Sequence, residues 1–470
     1  MLGGVEFTDD SNRGFYAADK NNWQPRLGMA YSIDDKTVLR AGYAIYAVPA
    51  VIWNVYQAGF SQDTNIVPTN DNGLTFQANL ANPFPSGVAD PPGASQGVNT
   101  FVGRTIGRWE ADVNGFQNPQ AMRWSISVQR ELPHQWVVEA AYVGNKSDNL
   151  SVDRELNPVP RNYLSTSRSR DTATINYLTT NVANPFRGLL PGTNLNGSTV
   201  QRQQLLLPYP HFTGVQSRAH DGTSRYNGLQ GRLEKRFTSG YTILVSYTWS
   251  KFTEQVSLLN ATDGSYEERP ADADMPHRVV VSGIYELPFG RGKKWGSDWN
   301  GVLNAIAGGW SIQAIYQAQS GRPVSTWGNV YFDGDWSSLN ADYSKVKDGL
   351  PIFDTSGFYF HDAAVQTNGV DDPAKQRADQ RIQLAQNIRY FPTRLPNVRQ
   401  QTLSLMDMSF IKKFQFTDRV RAQFHLELLN AFDQPFFNVP NLSPNSADFG
   451  KVTSTQNLPL NVQLAFKLIF

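Results

Sequence analysis

The chain has 470 residues, no cysteine, and 42 Lys plus Arg against 41 Asp plus Glu, for a net charge of +1. The missing thiols exclude disulfide frameworks, thiolate metal sites and cysteine nucleophiles. The balanced charge gives no reason to expect a nucleic-acid partner. Mean hydropathy is negative and no apolar run is long enough for a helix to cross a bilayer, which leaves spanning strands open, because their polar face dilutes the apolar one.

Met1 to Phe7 has no basic segment followed by an apolar core and does not read as a secretory signal. Gln24 to Ser32 alternates, with Leu27, Met29 and Tyr31 on one face. Thr37 to Tyr46 follows after a tight link and places Leu39, Ala41, Tyr43 and Ile45 on one face, which predicts a hairpin. A long connection, Ala47 to about Ala121, is rich in Asn, Pro and Gly, and Val51 to Phe60 within it is expected to extend strands. Met122 to Arg130 sets Trp124, Ile126 and Val128 against Arg123, Ser125 and Ser127. Trp136 to Gly144 then sets Val138, Ala140 and Tyr142 against Val137, Glu139 and Ala141. A second long connection covers Asn145 to about Ser224.

Arg225 to Phe237 and Tyr241 to Lys251 flank the turn Thr238-Ser-Gly. In the second of them Ile243, Val245, Tyr247 and Trp249 face one way, and Thr242, Ser246, Thr248 and Ser250 the other. A loop from Phe252 to Pro276 carries local acid. His277 to Leu287 places Val279, Val281 and Tyr285 outward, with Arg278, Ser282 and Glu286 inward. Trp310 to Gln319 shows Ile312, Ala314, Tyr316 and Ala318 against Ser311, Gln313, Gln317 and Gln319. After a very long connection come Thr402 to Phe414, a turn at Thr417-Asp418, and Arg419 to Ala431. On the latter, Val420, Ala422, Phe424, Leu426 and Leu428 oppose Arg421, Gln423, His425 and Glu427. The final stretch, Leu460 to Phe470, alternates without a break: Leu460, Val462, Leu464, Phe466, Leu468 and Phe470 share one face. Period two means a strand, and about 10 residues is the length that crosses a bilayer when tilted.

Short turns and long connections alternate along the chain, as in barrels with short periplasmic turns and long external loops. The link after Leu287 is the longest of the short set. Three hairpins share a crude pattern at their turns, through Gln129-Arg-Glu-Leu, Glu234-Lys-Arg-Phe and Ile411-Lys-Lys-Phe. The expected fold is all-β: an antiparallel meander of about 11 transmembrane strands. Walking back from a descending final strand, the first strand also descends. A complete single-chain barrel has an even strand count, so residues 1–470 are expected to be the C-terminal part of a large barrel.

Several stretches carry a family likeness. Pro25-Arg-Leu-Gly-Met-Ala-Tyr, Thr37-Val-Leu-Arg-Ala-Gly-Tyr and Trp124-Ser-Ile-Ser-Val-Gln-Arg-Glu-Leu-Pro are among them. Glu139-Ala-Ala-Tyr-Val-Gly, Tyr226-Asn-Gly-Leu-Gln, Val245-Ser-Tyr-Thr-Trp-Ser-Lys, His277-Arg-Val-Val-Val-Ser-Gly-Ile-Tyr-Glu-Leu-Pro-Phe-Gly and Leu429-Asn-Ala-Phe continue the series. Each is weak alone, but in this order the chain resembles the barrels of TonB-dependent receptors, in particular the Oar-like group with carboxypeptidase-regulatory-like domains. The resemblance implies a 22-stranded plugged barrel, with signal, plug and first strands outside residues 1–470. It implies import of a bulky nutrient (oligosaccharide, siderophore-like or peptide) across the outer membrane of a Gram-negative bacterium. It also implies four partners: membrane lipid, the plug, TonB through the N-terminal part, and the barrel-assembly machinery through the strand ending at Phe470. A structural or adhesive barrel and a soluble glycan-binding β-protein remain the rival readings.

No enzyme and no cofactor is expected. Gly290-Arg-Gly-Lys-Lys-Trp-Gly fits neither phosphate-loop spacing, and a basic interfacial turn followed by a strand is the favoured reading. The six His form no ligand-spaced pair. Asp333-Gly-Asp-Trp and Asp371-Asp372 offer carboxylates of the kind calcium takes, but neither fits the calcium-loop pattern. Trp327, Tyr331 and Trp336 are candidates for stacking on a sugar or aromatic ligand, against loop-to-loop packing. The most defensible functional surface is the lumen-facing set Arg278, Glu286, Gln313, Gln317, Arg421, Gln423, His425 and Glu427, against simple hydration or cross-strand pairing.

Overall fold

The computed structural model describes all residues except 1–6, 12, 14–17, 49–58, 62–63, 65, 70, 72, 111–115, 191–192, 326, 360–365, 369, 373–374, 376–383 and 418. The stretch expected to extend strands from Val51 falls almost wholly outside the described residues.

Eleven strands form one antiparallel meander. The first six are β1 (Arg26–Asp34), β2 (Thr37–Ala47), β3 (Gln120–Leu132), β4 (Trp136–Glu155), β5 (Gly214–Thr238) and β6 (Tyr241–Gln255). The remaining five are β7 (His277–Glu286), β8 (Trp310–Gln319), β9 (Leu403–Gln415), β10 (Arg421–Leu429) and β11 (Asn461–Ile469). Each pairs with its neighbours in the chain, and two short side strands, Thr105–Glu110 and Arg269–Pro270, join β5 and β6. Among the described residues nothing pairs with the free side of β1 or of β11, so the sheet is open.

Alternation places these strands well because apolar residues recur at every second position along them, which fixes one face. It fails at one end of β4 and β5. These run 20 and 25 residues, far past the expected limits at Gly144 and Arg225. Beyond those limits the regular alternation lapses: Val152, Val215 and Ser217 are buried, Val215 in a cluster with the loop residues Phe101, Ile106 and Phe212, and pairing continues through a register break near Leu150. At the opposite end, Ser239 (φ 55°) and Gly240 (φ 86°) are both left-handed. That is the turn whose twist matches a two-residue hairpin.

The register settles the faces. Tyr31, Leu39, Val128, Ala140, Gly231, Tyr247, Val279 and Ala318 are successive cross-strand partners from β1 to β8. Ile312, Phe410, Leu426 and Leu464 continue that face to β11. Among the described residues neither a second sheet nor a helical layer is paired over it: Trp249 is 56% exposed and Leu464 65%. On the same face Trp124 lies over Gly144, where an added Cβ would collide with the indole.

The buried core lies in the long links rather than under the sheet. Val324, Trp327, Ile352, Phe353, Phe358, Phe391, Leu395, Val398 and Phe449 form one cluster, drawn from the links between β8 and β9 and between β10 and β11. Trp327 is fully buried and its ring stacks on Phe358 at 5.7 Å. Arg269 and Arg394 share Glu254, the former at 3.0 Å, and Arg399 meets Asp274 at 2.7 Å. Ile388 N donates to Ser165 O at 2.8 Å and Ile352 N to Gly450 O at 2.8 Å. Four links are thereby knitted into one folded cap at one end of the strands.

Candidate functional site

The polar face of the sheet is assembled by the same register. Gln313 on β8, Ser409 on β9 and Glu427 on β10 form one row. Glu286, Ser311, Ile411 and His425 form another. Arg278 pairs with Gln319, Gln317 with Leu405, Gln423 with Lys413 and Arg421 with Gln415. All eight residues singled out from the sequence therefore share one face, opposite the apolar rows.

Their partners divide them. Glu286 is held by Lys293 Nζ at 2.8 Å and Lys413 Nζ at 3.5 Å. His425 reaches Gln423 Oε1 at 3.2 Å through Nε2 and Glu427 Oε1 at 3.6 Å through Nδ1, giving a polar string along β10. Gln317 donates to Gln319 at 3.2 Å. Arg278 and Arg421 make no ion pair among the described residues and stand exposed.

Two hollows mark this face. One, of about 510 Å³, lies over β6 to β10 and is lined by Leu244, Ser282, Ile284, Ile315, Asp407 and Glu427, with Gln313 beside them. Leu244, Ser282, Ile315 and Asp407 are cross-strand partners in one row. Asp407 also accepts from Asn430 N at 2.8 Å. The other, of about 780 Å³, lies over β1 to β4. There the guanidinium groups of Arg26 and Arg123 lie 4.9 and 5.7 Å from the Tyr46 ring, with Tyr226 and Phe252 alongside. Sequence reasoning missed Asp407 because it assigned no faces along Thr402 to Phe414, and missed Leu244, Ile284 and Ile315 because they are apolar residues at inward positions. It missed Arg26, Arg123 and Tyr46 because no single strand carries all three. Marking every residue by face rather than by polarity would have exposed both groups.

The loop candidates separate from this surface. Trp327 and Tyr331 are buried in the cap, so neither presents a ring to solvent. Trp336 is half-buried against Phe391, at 6.3 Å. All three pack within the loops, Trp327 and Tyr331 buried and Trp336 in part. Asp335 accepts from Ser337 N at 2.9 Å and from its hydroxyl at 2.7 Å; the Ser337 hydroxyl and amide hold its carboxyl below the usual range. Among the described residues no three His, Asp or Glu side chains are grouped as metal ligands. The Gly290 segment does form a basic turn, but the helix α3 (Gly301–Ala307), which follows α1 (Thr172–Thr179) and α2 (Arg202–Leu206) in the chain, precedes β8 where a strand alone was expected.

A family model described as outer membrane beta barrel domain matches residues 2–463. No curated protein matches the sequence. Among solved structures, the pyoverdine outer membrane receptor FpvA from Pseudomonas aeruginosa PAO1 is similar at TM-score 0.40 and 9% identity, over 95% of this chain and 36% of that one. The outer membrane transporter YddB from Escherichia coli is similar at 0.42 and 10%, over 94% and 40%. The ferric-catecholate import receptor Fiu from Escherichia coli K12 gives 0.35 and 11%, over 94% and 34%. The chain thus spans well under half the length of the solved chains it resembles.

Proposed function

The chain belongs to the outer membrane β-barrel domain family, and on that footing we propose that it is wall and cap of a TonB-dependent importer. The apolar rows meet lipid, the polar face lines a lumen, the short links point to the periplasm and the cap points outward. The observation that carries this reading is the separation of a mainly apolar face from a mainly polar one over eleven strands. One face exposes Trp249, Tyr247 and Leu464 without cover, while the other carries Arg278, Glu286, Gln313, Gln317, Arg421, Gln423, His425 and Glu427. Hydrocarbon on one side and water on the other stabilises that pattern.

The ordered motifs from Pro25 to Phe432 support membership in the Oar-like group. The bare edges of β1 and β11 support an arrangement in which these strands are one part of a larger closed wall containing a plug. The polar string on β10 and the hollow around Asp407 would then face plug and passing nutrient. The strand ending at Phe470 would engage the assembly machinery. In this reading the chain binds and passes a bulky nutrient and catalyses no reaction.

The test is uptake in cells carrying the intact protein. Growth on candidate oligosaccharides, ferric siderophores and peptides is compared with and without TonB. Uptake that vanishes with TonB supports the importer. Surface attachment that persists without TonB, with no uptake of any class, would favour an adhesive barrel instead.

A further inference from the structure

The link from Leu287 to Gly309 is far longer than its neighbours on the same side of the sheet, which span two to five residues. It holds Arg291, Lys293 and Lys294 against a single acid, Asp298. Its first half is an aromatic knot: Phe289 lies 5.4 Å from Trp295 and stacks on Trp299 at 6.5 Å. Gly290 N donates to Trp295 O at 2.9 Å and Trp295 N to Pro288 O at 3.0 Å. Its second half is α3, capped by Asn300, whose side chain accepts from Leu303 N at 2.8 Å.

Two contacts fix where α3 lies. Trp310 Nε1 donates to Ile306 O at 2.9 Å, and Lys412 Nζ donates to Gly308 O. Trp310 and Lys412 are cross-strand partners on the apolar face of the sheet. The helix is therefore pinned to the rim on that face. Asn304 turns inward and accepts from Arg291 N at 2.8 Å. Val302, Leu303 and Ile306 turn outward, at 72, 43 and 66% exposure. Residues at these spacings share one side of a helix. Meanwhile Lys293 reaches the polar face through Glu286, so the link straddles the rim with an apolar side and a wet side.

The geometry points to an interfacial anchor: α3 lies in the lipid leaflet on the short-link side, and anionic phospholipid is its partner. Val302, Leu303 and Ile306 enter the boundary between headgroups and acyl chains, the depth at which such helices rest. Arg291 and Lys294, both exposed, meet phosphates, where each cation is worth about fivefold in partitioning. Trp295 and Trp299 occupy the level that amphipathic rings prefer. The assignment rests on the lipid-facing reading of the apolar rows, and extends that surface without a break through Trp310.

Because the sequence has no cysteine, single labels are unambiguous. Ile306→Cys, Val281→Cys and Lys347→Cys variants would each carry an environment-sensitive fluorophore. Each is folded into vesicles of phosphatidylcholine and phosphatidylglycerol whose acyl chains are brominated in one lipid or the other. Val281, in the apolar rows, and Ile306 should both be quenched, while Lys347 in the cap should not. Adding Arg291→Gln and Lys294→Gln should lower the preference of the Ile306 label for brominated phosphatidylglycerol several-fold. A quenched Val281 label beside an unquenched Ile306 label overturns the anchor. An unchanged lipid preference in the neutral variant overturns the phosphate contact. An unquenched Val281 label would instead sink the lipid-facing assignment itself.

Discussion

Placing a charge at matched depths on the two faces separates lipid from lumen. Val245 on β6 lies midway between Tyr241 and Trp249 on the apolar face. A strand rises about 3.4 Å per residue. At a tilt of roughly 40°, Tyr241 and Trp249 stand about 21 Å apart along the membrane normal, close to the ~25 Å apolar band of such walls. Val245 is then within an ångström or two of the midplane, by the same estimate. There an arginine costs about 2–4 kcal/mol. Ser246 is one residue on and points the other way, in a row with Arg232 and Val280. An arginine there should cost within about 0.5 kcal/mol of nothing, as surface changes do. Leu464→Arg on β11 should behave like Val245→Arg. The assay is the urea midpoint of chains folded into phosphatidylcholine vesicles, read by intrinsic tryptophan emission. Equal losses for Val245→Arg and Ser246→Arg would refute the face assignment and everything built on it.

Further outcomes concern the cap. Trp327→Ala removes a fully buried ring from the cluster around Phe353, Phe358, Phe391 and Phe449 and should cost about 3–5 kcal/mol. The loss should appear as rapid proteolysis between residues 320 and 402 while strand signals in circular dichroism persist. Glu254→Ala strips Arg269 and Arg394 of their shared carboxylate. With both guanidinium groups mostly buried, about 3 kcal/mol should go, read as a lower first transition in calorimetry. Acid should loosen α1 (Thr172–Thr179) before the wall. Asp171 caps it through Thr174 N at 3.0 Å and the Thr174 hydroxyl at 2.7 Å, which hold its carboxyl down at about 2. A depressed folded value gives stabilisation that is complete above the ordinary carboxylate value of 3.8 and fades as pH falls toward 2. Amide exchange at Thr174 should therefore accelerate over that window, and Asp171→Asn should abolish the dependence.

The wall was legible in the sequence because a single period governs it. Trp310 to Gln319 was delimited to the residue, and ten further strands were found in order, since each must show lipid a continuous apolar row. The eight polar-face candidates were likewise readable, because inward positions follow from outward ones. What period two does not encode stayed hidden. The far ends of β4 and β5 lack a regular apolar alternation, with Val152 and Val215 buried among polar neighbours, and only pairing reveals them. The cap is built by residues distant in sequence, such as Trp327 and Phe449, and no local pattern announces that they meet. That is why Trp327 and Tyr331 read as available rings, although both are buried in the cap. α3 was missed because Gly301 to Ala307 is short and its apolar residues lie next to glycines, which spoke for a loop.

Among the described residues, β1 and β11 leave one side of nine residues each without a ladder partner. In water those amides and carbonyls are hydrated at small loss; in hydrocarbon each naked group costs several kcal/mol. Entry into the bilayer is therefore coupled to finding a companion for both flanks, whatever that companion is. Until then the flanks are templates on which any extended peptide can grow, so the interval between synthesis and insertion is when this polypeptide most needs an escort.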